Sequence, residues 1–483
     1  MNYLTHIPRM LTIAGALALT ACVTVGPDYR SPAPDAPAGW NSIDATAQPA
    51  LKTDATGDLS RWWLSLNDPL LSELVDGALK ASPDLRSAKA KLREARARRA
   101  VAGAGLFPEV TASGNASRSH SSEETGSGDT RKLYTAGFDA SWELDLFGGI
   151  RRGIEAAGAD LEASVASLHD AQVSLAAEAA QNYADIRTLQ IRLGIARDNL
   201  ATQTETLQIT EWRGQAGLVS SQDVEQARSS REQTRAQIPS LETSLAEAEH
   251  RLEILLGKAP GALHERLAVP GRLPDVPDRI AVGIPADTLR QRPDVRAAER
   301  TLAAETARVG VARAERYPSF TLTGSIGLEA LTLGALGNGG AATSSLLGGI
   351  AAPIFNAGRL RSQVEIQDAV REQAQVAYEQ AVLNALQEVE NSLVSLTRNR
   401  ERAESLASAA DSARNAAELA RQRYGAGLID FQPVLETQRS VLSVEDSLAV
   451  TRGDGVRALI SLYKALGGGW SPQNDTSAGK DTP

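Results

Sequence analysis

The only cysteine of the chain, Cys22, closes the run Leu19-Thr20-Ala21-Cys22. Small residues before a single thiol, after the apolar stretch Met10 to Thr20 and a positive flank at Arg9, mark where a bacterial lipoprotein signal is cut and the new N-terminal cysteine acylated. The apolar run is too short to span a bilayer. Residues 1–21 are therefore expected to be a lipoprotein signal peptide and Cys22 the lipid attachment site. The plainer alternative is an unmodified buried thiol behind an ordinary signal. Val23, not an aspartate, follows the cysteine, which favours the outer over the inner membrane.

Other chemistry is poorly supplied. One cysteine allows neither an intramolecular disulfide nor a cysteine metal cluster. The five histidines, His6, His120, His169, His250 and His264, are scattered without ligand spacing. The run Gly337-Asn338-Gly339-Gly340 lacks the strand-to-helix setting and trailing lysine of a phosphate loop. Lys+Arg 50 against Asp+Glu 59 gives a net charge of −9, so no basic face for nucleic acid is implied. No enzyme and no metal site is expected, and no cofactor beyond the covalent lipid on Cys22.

The elements that hold these residues repeat. Pro83-Asp84-Leu85-Arg86 recurs as Pro293-Asp294-Val295-Arg296, and Phe107-Pro108 as Tyr317-Pro318, both at an offset of 210. Gly217-Leu218-Val219 and Gly427-Leu428-Ile429 keep that offset, as do Leu256-Gly257 and Leu466-Gly467, while Phe147 and Arg151 match Phe355 and Arg359 at 208. The chain thus divides into a lipid-anchored periplasmic tether, 22–59, a first repeat, 60–257, a Pro-rich connector, 258–285, a second repeat, 286–467, and a flexible tail, 468–483. Each repeat reads as helix, strand, strand, very long helix, tip loop, helix.

Ile150 to Trp212 makes a helix about 95 Å long at 1.5 Å per residue. Its seam of Leu161, Val165, Leu168, Leu175, Ile186, Leu189, Leu193, Leu200 and Leu207 steps by threes, fours and sevens, the pattern of a coiled coil. Two shorter helices, Pro83 to Leu106 and Ser221 to Leu256, add up to nearly that length and suit an end-to-end stack beside it. Pro239 is expected to kink the second of them.

Strands carry the membrane signal. Tyr134, Ala136, Phe138, Ala140, Trp142, Leu144 and Leu146 alternate with Thr135, Asp139, Ser141, Glu143 and Asp145. Strands are expected at about 108–117, 133–147, 318–329 and 345–355, apolar on one face and polar on the other, as an outer-membrane barrel requires. Half-buried strands of a soluble sandwich give the same period, and it is the lipoprotein signal and the polar loop Arg118 to Lys132 that favour the membrane. Four strands cannot close a barrel, since about eight is the smallest number seen. Open edges in lipid leave backbone groups unsatisfied, so copies must share one barrel. Two copies give eight strands and three give twelve; the strand count alone leaves both open.

The chain resembles the TolC-like outer-membrane efflux factors, in particular their lipoprotein branch. The resemblance rests on Arg61-Trp62-Trp63 with Asn67-Asp68-Pro69-Leu70, on Arg292-Pro293-Asp294-Val295-Arg296-Ala297-Ala298-Glu299, on Tyr317-Pro318-Ser319-Phe320, and on Leu462-Tyr463-Lys464-Ala465-Leu466-Gly467-Gly468-Gly469-Trp470. It implies an α+β membrane protein: a long α-helical coiled-coil barrel continuous with a transmembrane β-barrel shared by a homotrimer. It further implies the exit duct of a tripartite efflux pump, with a periplasmic adaptor and an inner-membrane RND-type transporter as partners. A duct for type I protein secretion is the alternative. A periplasmic adaptor lipoprotein fits less well, because it carries one helical hairpin rather than two. The adaptor-docking tips are expected at Gly217, Leu218, Ser220, Gly427, Leu428 and Asp430, with the glycines ending helices and Ser220 and Asp430 capping the next ones; that Leu218 and Leu428 merely cover their own helix ends is the competing reading. The candidate periplasmic gate is Asp411, Glu418, Arg421 and Arg423; solvated i,i+3 pairs are the competing reading of those charges.

Overall fold

The computed structural model describes residues 24–33, 36–42, 51–52, 59–277 and 280–471. The signal peptide, Cys22 and the tail from 472 onward lie outside the described residues.

A short parallel strand β1 (Leu51–Lys52) precedes α1 (Pro69–Ala81) and α2 (Pro83–Ala104). Asp68 starts α1: its Oδ1 accepts from the Leu71 amide at 3.0 Å, and Pro69 takes the first turn, where no amide is needed. Then come β2 (Glu109–His120), β3 (Thr130–Glu143), α3 (Gly149–Gln215) and α4 (Ser221–Leu255). The connector holds α5 (His264–Leu267) and β4 (Ile280–Ala281), which pairs with β1. The second half follows as α6 (Pro285–Gln291), α7 (Pro293–Ala314), β5 (Ser319–Ala330), β6 (Ala342–Ala351), α8 (Arg359–Gly425) and α9 (Phe431–Ala465). α3 and α8 have 67 residues each, and α4 and α9 have 35 each. The long helices begin at Gly149 and Arg359, so the offset of 210 holds there too and the 208 match of Arg151 with Arg359 does not align helix starts.

α4 runs unbroken through Pro239. The proline sits on an exposed face, where the carbonyl left without an amide is open to water.

The chain forms two compact units. One comprises Met1–Ala33, Lys91–Val165 and Ala297–Glu379. It holds the antiparallel sheet β2-β3-β5-β6. Register puts Val110, Ala140, Gly324 and Leu346 in one row, and Ala112, Phe138 and Ile326 in another that ends at the polar Ser344. On the opposite face Ser113 bonds Asp139 at 2.9 Å and Ser325 bonds Ser345 at 2.8 Å. Gly137 and Gly327 face each other so closely that a Cβ on either would meet backbone within 2.8 Å. The strand expected to reach 147 ends at Glu143, because Asp145 turns away to accept from the Ile150 and Arg151 amides at the start of α3.

Of the expected tether, described residues 24–33 belong to this unit, and several of them pack on it. Val25 donates to the Phe147 carbonyl at 3.1 Å. Gly26, at φ 104°, crosses Gly310 where a Cβ would stand 2.4 Å from its Cα. Arg152, side chain 5% exposed, donates to the Val25 carbonyl and pairs with Asp28 and Glu155, each at 2.7 Å. The Tyr29 hydroxyl donates to Glu299, and burial, then that bond, pushes its pKa up.

The other unit comprises Pro34–Ala90, Ala166–Arg296 and Gln380–Pro483. Its core includes the fully buried Trp63, Leu66, Leu71, Leu252, Leu267 and Leu459. The buried Glu253 carboxylate accepts from the Gly261 and Leu263 amides at 2.7 and 2.6 Å, folding the connector against α4. Gly468 to Trp470 belong to this core rather than to a flexible tail. A Cβ at Gly468 would lie 2.9 Å from Trp62, and Trp470 stacks on His169 with ring centroids 4.4 Å apart.

Candidate functional site

Both predicted tips lie in the second unit, and they share one construction. At the end of α3, Leu218 donates to the Arg213 carbonyl at 2.9 Å and Gly217 to Gly214 at 3.0 Å. At the end of α8, Leu428 donates to Arg423 and Gly427 to Tyr424, both at 2.9 Å. This double bond pattern needs a left-handed residue, supplied by Gly217 at φ 74° and Gly427 at φ 75°. The residue after such a glycine usually packs on an apolar residue one turn back. Here that position is an arginine in both helices, so Leu218 and Leu428 stay 72% and 69% exposed. Val219 and Ile429 do the covering instead, packed on a cluster that includes Leu207, Ala227, Tyr424, Phe431 and Val434.

The caps differ. The Ser220 hydroxyl accepts from the Asp223 amide at 3.2 Å and Asp223 returns the bond to Ser220, a reciprocal box of about 1 kcal/mol. Asp430 makes no side-chain cap bond, contrary to the expectation above. The third residue of α9 is Pro433, which has no amide to give, and the Asp430 carboxylate is left exposed.

Arg213 joins the two tips. It donates to the Gly425 carbonyl at 3.1 Å and lies over the Tyr424 ring at 4.5 Å. Beneath it, Tyr424 donates to the Thr210 hydroxyl at 3.3 Å, and Gln438 to Thr206 at 2.8 Å, a buried polar ladder between α3, α8 and α9. Neither Arg213 nor the exposed Trp212 was singled out from sequence as a tip residue; an aromatic and a cation just before a capping glycine were the available signal.

The gate candidates do not converge in the protomer. Asp411 pairs with Arg414 at 2.7 Å, and Arg414 also holds Glu445 at 2.6 Å. Glu418 pairs with Arg421 at 2.7 Å, and Arg421 stands 3.7 Å from Glu205. The Gln422 amide and the Arg421 charge hold the Glu418 carboxyl below its usual range. Arg423 is exposed and forms no ion pair with a described residue. The carboxylates are thus spent on neighbouring guanidiniums of i,i+3 spacing.

The family model for outer membrane efflux proteins matches twice, over residues 74–258 and 284–468. Nodulation protein T of Rhizobium leguminosarum bv. trifolii is 33% identical over 479 residues, covering 96% of this chain and 98% of the relative. The pyoverdine export outer membrane protein OpmQ of Pseudomonas putida is 34% identical over 481 residues, covering 97% and 99%. Among solved structures, the outer-membrane channel OprN superposes with a TM-score of 0.86 at 38% identity, over 93% of this chain and all of that one. Two matches to one family model, at the spacing of the paired helices, and likeness along nearly the whole chain make this protein a member of the outer membrane efflux protein family, an exit duct of the bacterial outer membrane.

Proposed function

We propose that three copies share one barrel of twelve strands above a periplasmic tunnel of helices, forming the exit of a tripartite pump. The duct passively conducts small molecules, whether drugs, solvents or metal ions, received from an RND-type inner-membrane transporter through a periplasmic adaptor. The observation that carries this reading is the four-stranded sheet. Its outer strands β2 and β6 each have one edge unpaired among the described residues, while Phe138, Ile326, Leu346 and Ile350 expose 59%, 65%, 78% and 72% of their surface. Apolar faces and free edges are both satisfied only when the sheet closes with further copies in lipid. Three copies is the number that the family resemblance implies.

Acylation of Cys22 fits the same picture. Val25 is fastened at Phe147, where strand gives way to helix. Three further residues reach about 10 Å, so acyl chains on Cys22 enter the leaflet beside the strand ends. Leu218 and Leu428, two exposed leucines per chain, are the contacts offered to adaptor helices, and their individually weak contributions sum over the assembly.

Native mass spectrometry of the detergent-extracted protein tests the assembly. Three copies are expected, each with acyl mass on Cys22. A folded monomer with intact strands refutes the shared barrel, and an unmodified Cys22 refutes the anchor.

A further inference from the structure

We propose that the second unit carries a binding site for an anionic amphiphile: one carboxylate, sulfonate or phosphate head on a single apolar tail. A cavity of about 540 Å³ lies among α3, α8, α9 and residues 272–276, within the usual range for small-ligand sites. Its floor is apolar, with Leu396, Leu448, Ala449 and Val456 all buried. Its rim is cationic. Arg272, Arg400 and Arg452 line it, all are exposed, and none forms an ion pair with a described residue. Of the two carboxylates at the cavity, Glu445 is taken by Arg414 at 2.6 Å. Asp275 alone then stands against three unengaged guanidiniums. Thr451 adds a wholly buried hydroxyl on the wall with no hydrogen-bond partner among the described residues.

The two halves of this lining ask for the two halves of one ligand. The apolar floor gains about 25 cal/mol per Å² covered by a tail. Guanidiniums bind a carboxylate or phosphate head through paired charge-assisted hydrogen bonds, stronger than neutral ones. A cationic amphiphile with the same tail meets repulsion at the rim. The ligand comes from one of two sources, an acidic membrane lipid or a periplasmic solute, and this site adds to the conducting role.

The test uses full-length protein in a non-ionic maltoside detergent, titrated calorimetrically with laurate below its micellar concentration. Saturable binding at one site per chain is expected, with dodecyltrimethylammonium about tenfold weaker because its head is repelled. Arg400→Glu with Arg452→Glu is expected to weaken laurate about tenfold and to reverse the preference between the two probes. Arg400→Lys with Arg452→Lys keeps the preference and controls for folding. Equal affinity for the two probes overturns the proposal. So does unchanged laurate binding in a Glu double variant that assembles normally. An acidic lipid that co-purifies with the wild type and is lost from the Glu variant identifies the membrane as source; lipid-free wild type that still binds laurate identifies a solute.

Discussion

The Arg213 guanidinium lies 4.5 Å from the centre of the Tyr424 ring and donates to the Gly425 carbonyl, so the last turn of α3 is tied to the last turn of α8. One arginine thus holds two turns that are about two hundred residues apart in sequence. Arg213→Ala removes a cation–π contact of about 0.5–1 kcal/mol together with a charged hydrogen bond. Backbone hydrogen exchange is expected to rise at 213–220 and 424–430 and to stay unchanged in the strands. Unchanged protection at both turns shows that the contact does not bind them.

Replacing Leu218 and Leu428 with Glu is expected to cost under about 0.5 kcal/mol of folding stability, because both side chains already face water. The yield of the proposed trimer is expected to stay normal, while crosslinking to the adaptor and resistance conferred in a deletion strain fall. Full crosslinking and resistance with an intact assembly remove the leucines from the docking surface.

Much of this arrangement was legible in the sequence because it is local and periodic. Alternation from Tyr134 to Glu143 reports one apolar face, the heptad-like steps of α3 report one packed face, and glycine before a leucine reports a helix end. What escaped depends on partners distant in the chain. Arg152 in isolation looks like any surface arginine; only the fold brings Asp28 and the Val25 carbonyl to it. Asp145 fits the strand alternation, yet its carboxylate is used as a helix cap. Gly468 and Gly469 resemble a loose tail until Trp62 is seen against them. The exposed Trp212 and the Arg213 bridge were visible as residue types, but nothing in their spacing assigned them to one another.

Gly26→Ala places a Cβ against the Gly310 backbone at a φ that side chains rarely adopt. The N-terminal segment is expected to detach while the sheet remains folded. Limited proteolysis near Arg30 then speeds up severalfold, whereas Gly39→Ala, with nothing near its Cβ, serves as the silent control. Equal cleavage rates refute the docking of the segment.

The His264 ring contacts the buried Glu249 carboxylate at 2.9 Å, and that hydrogen bond and charge raise the His264 pKa above 6.5. A raised folded value means the contact stabilises most below the unfolded pKa, about 6.5, and is lost as pH rises through the folded one. The extra protease sensitivity of His264→Gln within 258–268, relative to wild type, is expected to be largest in mild acid and to shrink toward alkaline pH. A difference independent of pH excludes the charged pair.

Pro433 gives the two turns of each protomer different characters. Asp223 is engaged in its own cap, while Asp430 keeps its carboxylate open to any approaching cation. In the threefold assembly proposed above, with the tips at its mouth, the mouth therefore alternates between an occupied acid and an available one. Partner hairpins bearing a basic residue have three favoured seats instead of six. Turning the partner by one seat is no longer a neutral move, so the ring has a built-in phase.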